Sequence, residues 1–463
     1  MMISITDAER QLSDAAYRHD LGDGLVLRWS TQADTEGIAF LYGSVFREKE
    51  HDPFNENMAQ WTRDWMSDRH PHITSGDIAL VEETASGRIV AATGLLSYDL
   101  EYEGITIPFA QPEIVATVPE YRNRGLVRRI FTLIHARSAA KGHLMQGITG
   151  ILYYYRQFGY EYAVELDGDG DGGYSIQTSS IPKLKDAETD PYNLRHATVD
   201  DIPHLQRLYD AERRRGPISS PISDAYWRWL LVDANTAASV GMWIYMIVDA
   251  ADNVVGYTMT GRYRWGDTLS IRGLWLDEGI SWMAVALPLL RGWVTIGQQT
   301  PQRKTVEEPF TKIYFSISGD HPFYHTLGEA IIQLSSGDPY AWYMRIPDYV
   351  AFLRAIKPLL ERRLAASFLA NYSGVMKINL YRSGVKLVFS DGKLSEIEPW
   401  KRGDWEEAQV GCPPLIFTQL LLAHRSYDQI RTLVPDLVAK GAPNAELMRI
   451  LFPAKRSSLI QLV

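Results

Sequence analysis

The stretch from Glu113 to Gly142 constrains the fold most, because three kinds of local signal follow one another without a gap. Glu113 to Val118 is a β-branched run of strand type, and Pro119 ends it. Arg122-Asn123-Arg124-Gly125-Leu126-Val127 is a turn. From Arg128 to Lys141 apolar residues fall near helical spacing at Ile130, Phe131, Leu133, Ile134 and Ala139, and Gly142 is placed to stop the helix. A glycine between strand and helix lets the main chain come close to a ligand. The first N–H groups of the helix have no partner within it and lie at the positive end of its dipole. With Arg122, Arg124, Arg128 and Arg129 around it, this is a candidate pyrophosphate cradle. A plain tight turn with solvated arginines fits the same residues. Neither a phosphate loop with Gly-Lys-Ser/Thr nor a GxGxxG fingerprint is present here.

Arg122-x-x-Gly125-x-Val127 resembles the Arg/Gln-x-x-Gly-x-Gly/Ala motif of the GNAT superfamily of acetyl-CoA-dependent N-acetyltransferases, with Val127 where Gly or Ala is usual. Tyr155-Arg156-Gln157-Phe158-Gly159-Tyr160 resembles the second signature of that superfamily, a tyrosine four residues before the glycine of an aromatic helix end. At this length the whole chain is similar to the multidomain acetyltransferases of the enhanced-intracellular-survival (Eis) type. Those carry two GNAT-like domains and a C-terminal domain like sterol carrier protein.

The resemblance implies an α/β (α+β) fold of two tandem GNAT-like domains with mixed central sheets, plus a sterol-carrier-like α+β domain. It implies acetyl-CoA as co-substrate and no metal. Val115, Ala116 and Thr117 would lend main-chain groups to the pantetheine and acetyl carbonyl. Asn123, Arg124, Gly125, Leu126, Val127 and Arg128 match the pyrophosphate loop, and Gly150 and Ile151 a further stretch along the cofactor. Tyr155 matches the general acid that protonates the leaving thiolate; alone, in a run of three tyrosines, it would read as core packing. Two groups are candidates for the base. Glu113 begins the central strand and, by the two-residue period, shares a face with Thr117. The other is the C-terminal carboxylate of Val463, since in the resembling family the chain's end can reach the active site. A homo-oligomer is implied, a hexamer being one form.

Composition sets bounds on all this. At 463 residues a prior of about two to four domains follows. A hydrophobic content of 46% with 22% charged is ordinary globular composition. The net charge of -9 argues against a general nucleic-acid binder. The single cysteine, Cys412, allows neither an intramolecular disulfide nor a multi-cysteine zinc site, and reads as a small structural residue. No stretch has 18 uninterrupted apolar residues, so no membrane partner is expected. The polar N-terminus is unlike a signal peptide, and the cytoplasm is the expected compartment.

Residues 1–185 are expected to form the catalytic domain. Met1 to Gly24 reads as an arm without a partner. Leu25–Trp29 is a strand, and Thr31–Phe46 and Asn55–Met66 are helices. Met58, Trp61 and Trp65 lie on one face, either as core or as lining of the acceptor side. Ile78–Glu82, Arg88–Leu95 and Leu100–Pro108 are strands of a meander. Asp167-Gly168-Asp169-Gly170-Asp171-Gly172 mimics half of a calcium loop, but Thr178 stands at the twelfth position, so an acidic turn between the last two strands is the better reading.

After a polar linker the chain begins again. Leu194-Arg195-His196-Ala197-Thr198-Val199-Asp200-Asp201 echoes Leu27-Arg28-Trp29-Ser30-Thr31-Gln32-Ala33-Asp34. His321 to Gly328 echoes the Tyr155–Gly159 helix end. A second GNAT-like domain over 190–338 follows, with Asp277-Glu278-Gly279 in place of the arginine–glycine loop. Two carboxylates would repel pyrophosphate, so this copy is expected to bind no CoA. His321 and His325 read as structural. Residues 339–463 form the third domain, its first helix divided at Pro358.

The expected function is acetyl transfer from acetyl-CoA to a primary amine by direct attack in a ternary complex. The small-molecule or lysine-type acceptor is open among an aminoglycoside, a polyamine and a lysine side chain. A non-catalytic acyl-CoA-binding or assembly protein on the same scaffold is the alternative, and lipid transfer through residues 340–463 a third.

Overall fold

The computed structural model describes residues 6–47, 51–166, 174–185, 187–303, 308–327, 335–336, 340–401, 407–457 and 459–463. The first part runs α1 (Asp7–Ser13), β1 (Arg18–Gly22), β2 (Leu25–Trp29), α2 (Thr35–Val45), α3 (Glu56–Met66), β3 (Ile78–Glu83), β4 (Arg88–Tyr102), β5 (Ile105–Thr117), α4 (Leu126–Ala140), β6 (Met145–Ile148) and β7 (Glu161–Leu166). The second runs β8 (Tyr174–Gln177), β9 (Tyr192–His196), α5 (Ile202–Arg213), β10 (Ile218–Ser219), α6 (Asp224–Arg228), β11 (Met242–Asp249), β12 (Val254–Gly261), β13 (Thr268–Leu276), α7 (Trp282–Gln299), β14 (Lys312–Phe315) and β15 (Ser335–Ser336). Then comes β16 (Tyr340–Arg345). The described part of the N-terminal segment is not a loose arm. A reciprocal Thr6–Glu9 cap starts α1, and the Trp29 indole and the Arg137 guanidinium hold Leu12 and Ser13 by their carbonyls, each at 2.9 Å.

Helix α3 starts where the Asn55 side chain accepts from the N–H of Met58. Its Trp61 and Trp65 rings meet edge-on at 5.1 Å, and a Cβ on Gly94 would lie 2.8 Å from Trp65. Both tryptophans are therefore core. Strands β4 and β5 form one long hairpin about Glu103-Gly104, so Leu100–Pro108 is its tip rather than a separate strand. Pairing is regular except opposite Thr93, where Ile114 and Val115 occupy the place of one residue, and Ile114 has φ +52°.

The repeat seen in the sequence is built the same way twice. Arg28 grips Asp34 at 2.7 and 2.8 Å while the N–H of Thr31 donates to it. Arg195 grips Asp201 at 2.8 Å through both terminal nitrogens, and Thr198 donates likewise. Each carboxylate thereby locks a strand to the start of the following helix.

The sheets do not follow the expected boundaries. The first has the order β1-β2-β3-β4-β5-β6-β16-β7, with β10 paired to the far end of β4; the second has the order β15-β8-β14-β13-β12-β11-β9. Tyr174–Gln177, expected within residues 1–185, lies in the second sheet, and Tyr340–Arg345, expected to open the third domain, lies in the first. The two copies exchange their equivalent strands, since β16 sits between β6 and β7 as β8 sits between β14 and β15. Main-chain pairing needs a partner strand but not one near in sequence.

Residues 349–463 form an α+β unit. Its first helix is divided as expected into Tyr349–Ala355 and Lys357–Ala365, with Pro358 in the first turn of the second piece. A sheet of Gly374–Asn379, Gly384–Ser390, Lys393–Pro399, Val410–Gly411 and Val438–Ala439 follows. The unit docks on the β4–β5 tip: Tyr102 donates to the carbonyl of Leu421 at 2.7 Å, and Glu103 pairs with Arg363 at 2.8 Å. Cys412 is buried there, which pushes its thiol up. Each of the three sheets contains one parallel pair, so the fold is mixed α/β. No helix among the described residues is long and apolar enough to cross a membrane.

The Asp167–Gly172 run lies outside the described residues. Among those described, no group of three His, Cys, Asp or Glu could hold a metal. His321 is buried, accepts from the N–H of Phe323 and meets the Leu274 carbonyl at 2.8 Å, a structural role.

Candidate active site

Strands β5 and β6 run parallel but pair only through Phe109–Met145 and Ala110–Gln146. Beyond Ala110 they part, and among the described residues the edge of β5 from Gln111 to Thr117 has no strand on that side. The gap is a cleft of about 630 Å³, closed at one end by the start of α4 and along one wall by Tyr154–Phe158. An unpaired strand edge offers main-chain donors and acceptors to an amide-bearing ligand.

In the turn before α4, Asn123 (φ +62°) and Gly125 (φ +75°) are left-handed, a backbone form that lets successive N–H groups converge on an anion. Asn123, Gly125, Leu126, Val127 and Arg128 line it, together with Arg122. Arg128 is held by Gln157 at 2.6 Å and lies over the Phe158 ring. Arg124 departs from expectation: its guanidinium turns to Asp23 at 3.0 Å and packs on Tyr121, outside the lining. Val127 packs against the cluster of Phe131, Ile148, Tyr155, Tyr160 and Tyr343.

Val115 and Thr117 face the cleft, whereas Ala116 is buried on the other face. Glu113 belongs with Ala116 and not with Thr117, against the simple two-residue period. Glu113 pairs with Gly94, Ala116 with Ala92 and Thr117 with Ala91, so the extra residue at Ile114 reverses the alternation.

Tyr155 is 4% exposed, in the 3₁₀ turn Tyr154–Phe158 that ends at left-handed Gly159. Its ring lies between Phe131 and Tyr343, with centroids 6.0 and 5.5 Å away. A Cβ on Gly150 would lie 3.3 Å from its hydroxyl, and Gly150 has φ +138°, so this position requires glycine. Burial first, and the Glu113 charge second, hold the Tyr155 phenol well above its ordinary range. Tyr340 of β16 fixes Gly150 on both sides: its hydroxyl accepts from the Gly150 N–H at 2.7 Å and donates to the Gly150 carbonyl. Tyr343 donates to the Ile151 carbonyl at 3.3 Å. Ile151 projects into the cleft; Gly150 itself does not line it.

The Glu113 carboxylate accepts from Gln111 at 2.7 Å, and Gln111 accepts from Tyr98 at 2.5 Å. Burial raises the Glu113 pKa, and the Gln111 hydrogen bond opposes the rise. The Tyr98 ring meets His72 at 5.2 Å, His72 stacks on Tyr226 at 4.7 Å, and Tyr226 donates to a main-chain oxygen of Val463 at 3.3 Å. The two candidate bases thus lie at opposite ends of one chain of touching side chains. Tyr340, Tyr343, Gln111, Tyr98, His72 and Tyr226 were not singled out from the sequence. The only signal was the aromatic-rich run Tyr340–Met344, which reads as a strand without naming its sheet.

In the second copy the loop before α7 carries Asp277, held by Arg207 at 2.6 Å, with Glu278 beside it. No arginine of that loop stands where the first copy has Arg122 and Arg128.

Residues 27–163 match a family model described as an acetyltransferase (GNAT) domain. No curated protein sequence matches the chain. In fold, the chain is similar to a GCN5-related N-acetyltransferase from Anabaena variabilis, with a TM-score of 0.62 and 15% identity over 94% of this chain and 99% of that one. It is similar to a GCN5-related N-acetyltransferase from Kribbella flavida, with a TM-score of 0.60 and 18% identity over 94% and 99%. Eis1 from Mycobacterium abscessus gives a TM-score of 0.57 and 14% identity over 93% and 98%. These likenesses establish the fold over nearly the whole chain. The residues that line the cleft all fall within the matched stretch, and the match supports acyl-CoA-dependent acetyl transfer in general.

Proposed function

We propose that this chain is an acetyl-CoA-dependent N-acetyltransferase whose acceptor is a primary amine, attacking directly in a ternary complex. The observation that carries the reading is Tyr155, buried and protonated against Gly150 at the mouth of a cleft whose far end is the N-terminus of α4. The residues present fit the cofactor. The unpaired edge at Val115 and Thr117 suits the pantetheine amides, and the α4 N–H groups with Arg122 and Arg128 suit the pyrophosphate. When bound, acetyl-CoA supplies the thioester carbonyl that the amine attacks.

The amine must lose a proton to become a nucleophile. Glu113, held by Gln111 and raised by burial, lies outside the cleft lining, so it accepts that proton through a water rather than directly. Tyr155 donates a proton to the departing sulfur. Tyr340 and Tyr343 fix the Gly150–Ile151 main chain, and positioning of the two reactants supplies much of the rate.

The test is free-thiol release from acetyl-CoA across a panel of amines, for wild type and Tyr155→Phe. Turnover with one amine class is expected, with kcat falling about 10²–10⁴-fold in the variant while acetyl-CoA still binds. Tight acetyl-CoA binding without turnover on any amine would point to a binding scaffold instead. Absence of acetyl-CoA binding would remove the reading of the α4 turn.

A further inference from the structure

Tyr42 of α2 is fully buried, and its hydroxyl makes no hydrogen bond among the described residues. Buried hydroxyls are satisfied by protein or by water. Helix α2 packs on β4 and β5. One turn beyond Tyr42 lie Val45 and Phe46, which line the cleft, and the Phe46 ring meets the Tyr42 ring edge-on at 6.3 Å. Tyr42 therefore stands between the cleft wall and the strand that carries Glu113. Four phenols feel the Glu113 charge: Tyr42, Tyr98, Tyr155 and Tyr340. Three of them have a part already. Tyr98 donates to Gln111 at 2.5 Å, Tyr340 donates to the Gly150 carbonyl, and Tyr155 faces Gly150 as the proposed acid. Burial first, and the Glu113 charge second, hold the Tyr42 phenol well above its ordinary range, so it stays protonated.

The second copy supplies the contrast. The matched Asp34 and Asp201 place Tyr209 of α5 where Tyr42 stands in α2. Tyr209 is buried too, but it donates to the Ser220 carbonyl at 2.7 Å. Counted from the bulge in each hairpin, Ser270 takes the place of Glu113. The second residue of the turn Pro322–Thr326 is Phe323, where the turn Tyr154–Phe158 has Tyr155. The copy without the carboxylate and the acid satisfies its tyrosine from its own main chain. The copy with both leaves the hydroxyl open.

We propose that Tyr42 is a positioning residue for base catalysis: its hydroxyl and the Glu113 carboxylate hold between them the water through which the acceptor loses its proton. The protonated phenol donates to the water oxygen. One lone pair of the water is then left for an N–H of the acceptor ammonium, and one of its hydrogens faces the carboxylate. In the transfer the N–H bond breaks as the water takes that proton, and the water's own proton passes to Glu113. The water is regenerated, and the nitrogen keeps the electron pair that attacks the thioester. This assignment rests on the acetyl-transfer reading.

Tyr42→Phe tests it, because the ring stays and only the hydroxyl goes. Free-thiol release is measured against pH for wild type, Tyr42→Phe, Glu113→Gln and the double variant, with the amine class that wild type turns over. Near neutral pH Tyr42→Phe should lower kcat about tenfold with the KM for acetyl-CoA unchanged. The deficit should close as pH rises toward the acceptor's own pKa, where the amine needs no base. In the Glu113→Gln background the same substitution should cost nothing further. An unchanged kcat, a loss equal at every pH, or a loss that persists in full beside Glu113→Gln overturns the proposal. A crystal structure of the free protein reads the same point without turnover. A water within hydrogen-bond distance of both the Tyr42 hydroxyl and the Glu113 carboxylate is expected there, and a dry Tyr42 hydroxyl would overturn the proposal. That water in a protein that releases no thiol with any amine would leave the water site standing and remove acetyl transfer, and with it the proton relay.

Discussion

Gly150 joins backbone conformation to chemistry in very few atoms. Its φ of +138° and the closeness of the Tyr155 ring exclude a side chain twice over. Gly150→Ala should therefore lower stability by about 1–3 kcal/mol and lower kcat as Tyr155 shifts, read by urea unfolding and steady-state kinetics. Tyr340→Phe is the complementary change, since the ring stays while both hydrogen bonds to Gly150 go. The KM for acetyl-CoA should rise about tenfold with little change in melting temperature; an unchanged KM would make Tyr340 a packing residue only. Glu212 allows a prediction about pH. Burial lifts its carboxyl from 4.5 to about 7, so the folded protein holds this proton more tightly than the unfolded chain. That stabilisation is full below about pH 4.5 and is lost as pH rises through about 7. Across this window wild type should lose on the order of 2–3 kcal/mol relative to Glu212→Gln in urea unfolding. Parallel pH profiles for the two proteins would show that Glu212 is not perturbed.

At the scale of elements, the strand, turn and helix around Gly125 were legible because each signal is local: a β-branched run, a glycine, a 3.6-residue period. The bulge at Ile114 was not, because it exists only against β4, and nothing within Gln111–Thr117 announces an extra residue. That single residue moved Glu113 to the face away from Thr117. The parting of β5 from β6, which makes the cleft, was equally hidden, since how far two strands pair is not stated by either strand's sequence. The role of the turn itself can be isolated by comparing two glycines of almost equal φ. Gly125 (+75°) and Gly142 (+77°) stand at the two ends of α4, and a Cβ on either meets nothing within 4 Å. Gly125→Ala and Gly142→Ala should thus cost the same, about 1 kcal/mol each, through backbone preference alone. Only Gly125→Ala should weaken acetyl-CoA binding, by several-fold in calorimetry. Equal affinities in the two variants would mean that the left-handed turn does not aim the N–H groups at the ligand.

At the scale of the molecule, the repeat was legible from Arg28–Asp34 and Arg195–Asp201, because the same ion pair locks the same junction in both copies. The exchange of β8 and β16 was not, because a strand's sequence states its faces but not its sheet. It has a consequence for folding. Without β16, β6 and β7 lose the strand between them, and the fully buried Trp342, Tyr343 and Met344 leave a void. Loss of large buried side chains costs about 2–5 kcal/mol each, against a total stability of about 5–15 kcal/mol. Residues 1–185 alone lack β16 but carry β8; residues 186–463 lack β8 but carry β16. Each fragment therefore holds the strand the other needs. Expressed separately, both should be insoluble or unfolded; expressed together, they should co-purify one-to-one and bind acetyl-CoA. A soluble, monomeric fragment 1–185 that binds acetyl-CoA unaided would show that the first sheet closes without β16. Tyr340 would then be dispensable for the site as well, so the split chain and the Tyr340→Phe kinetics must agree.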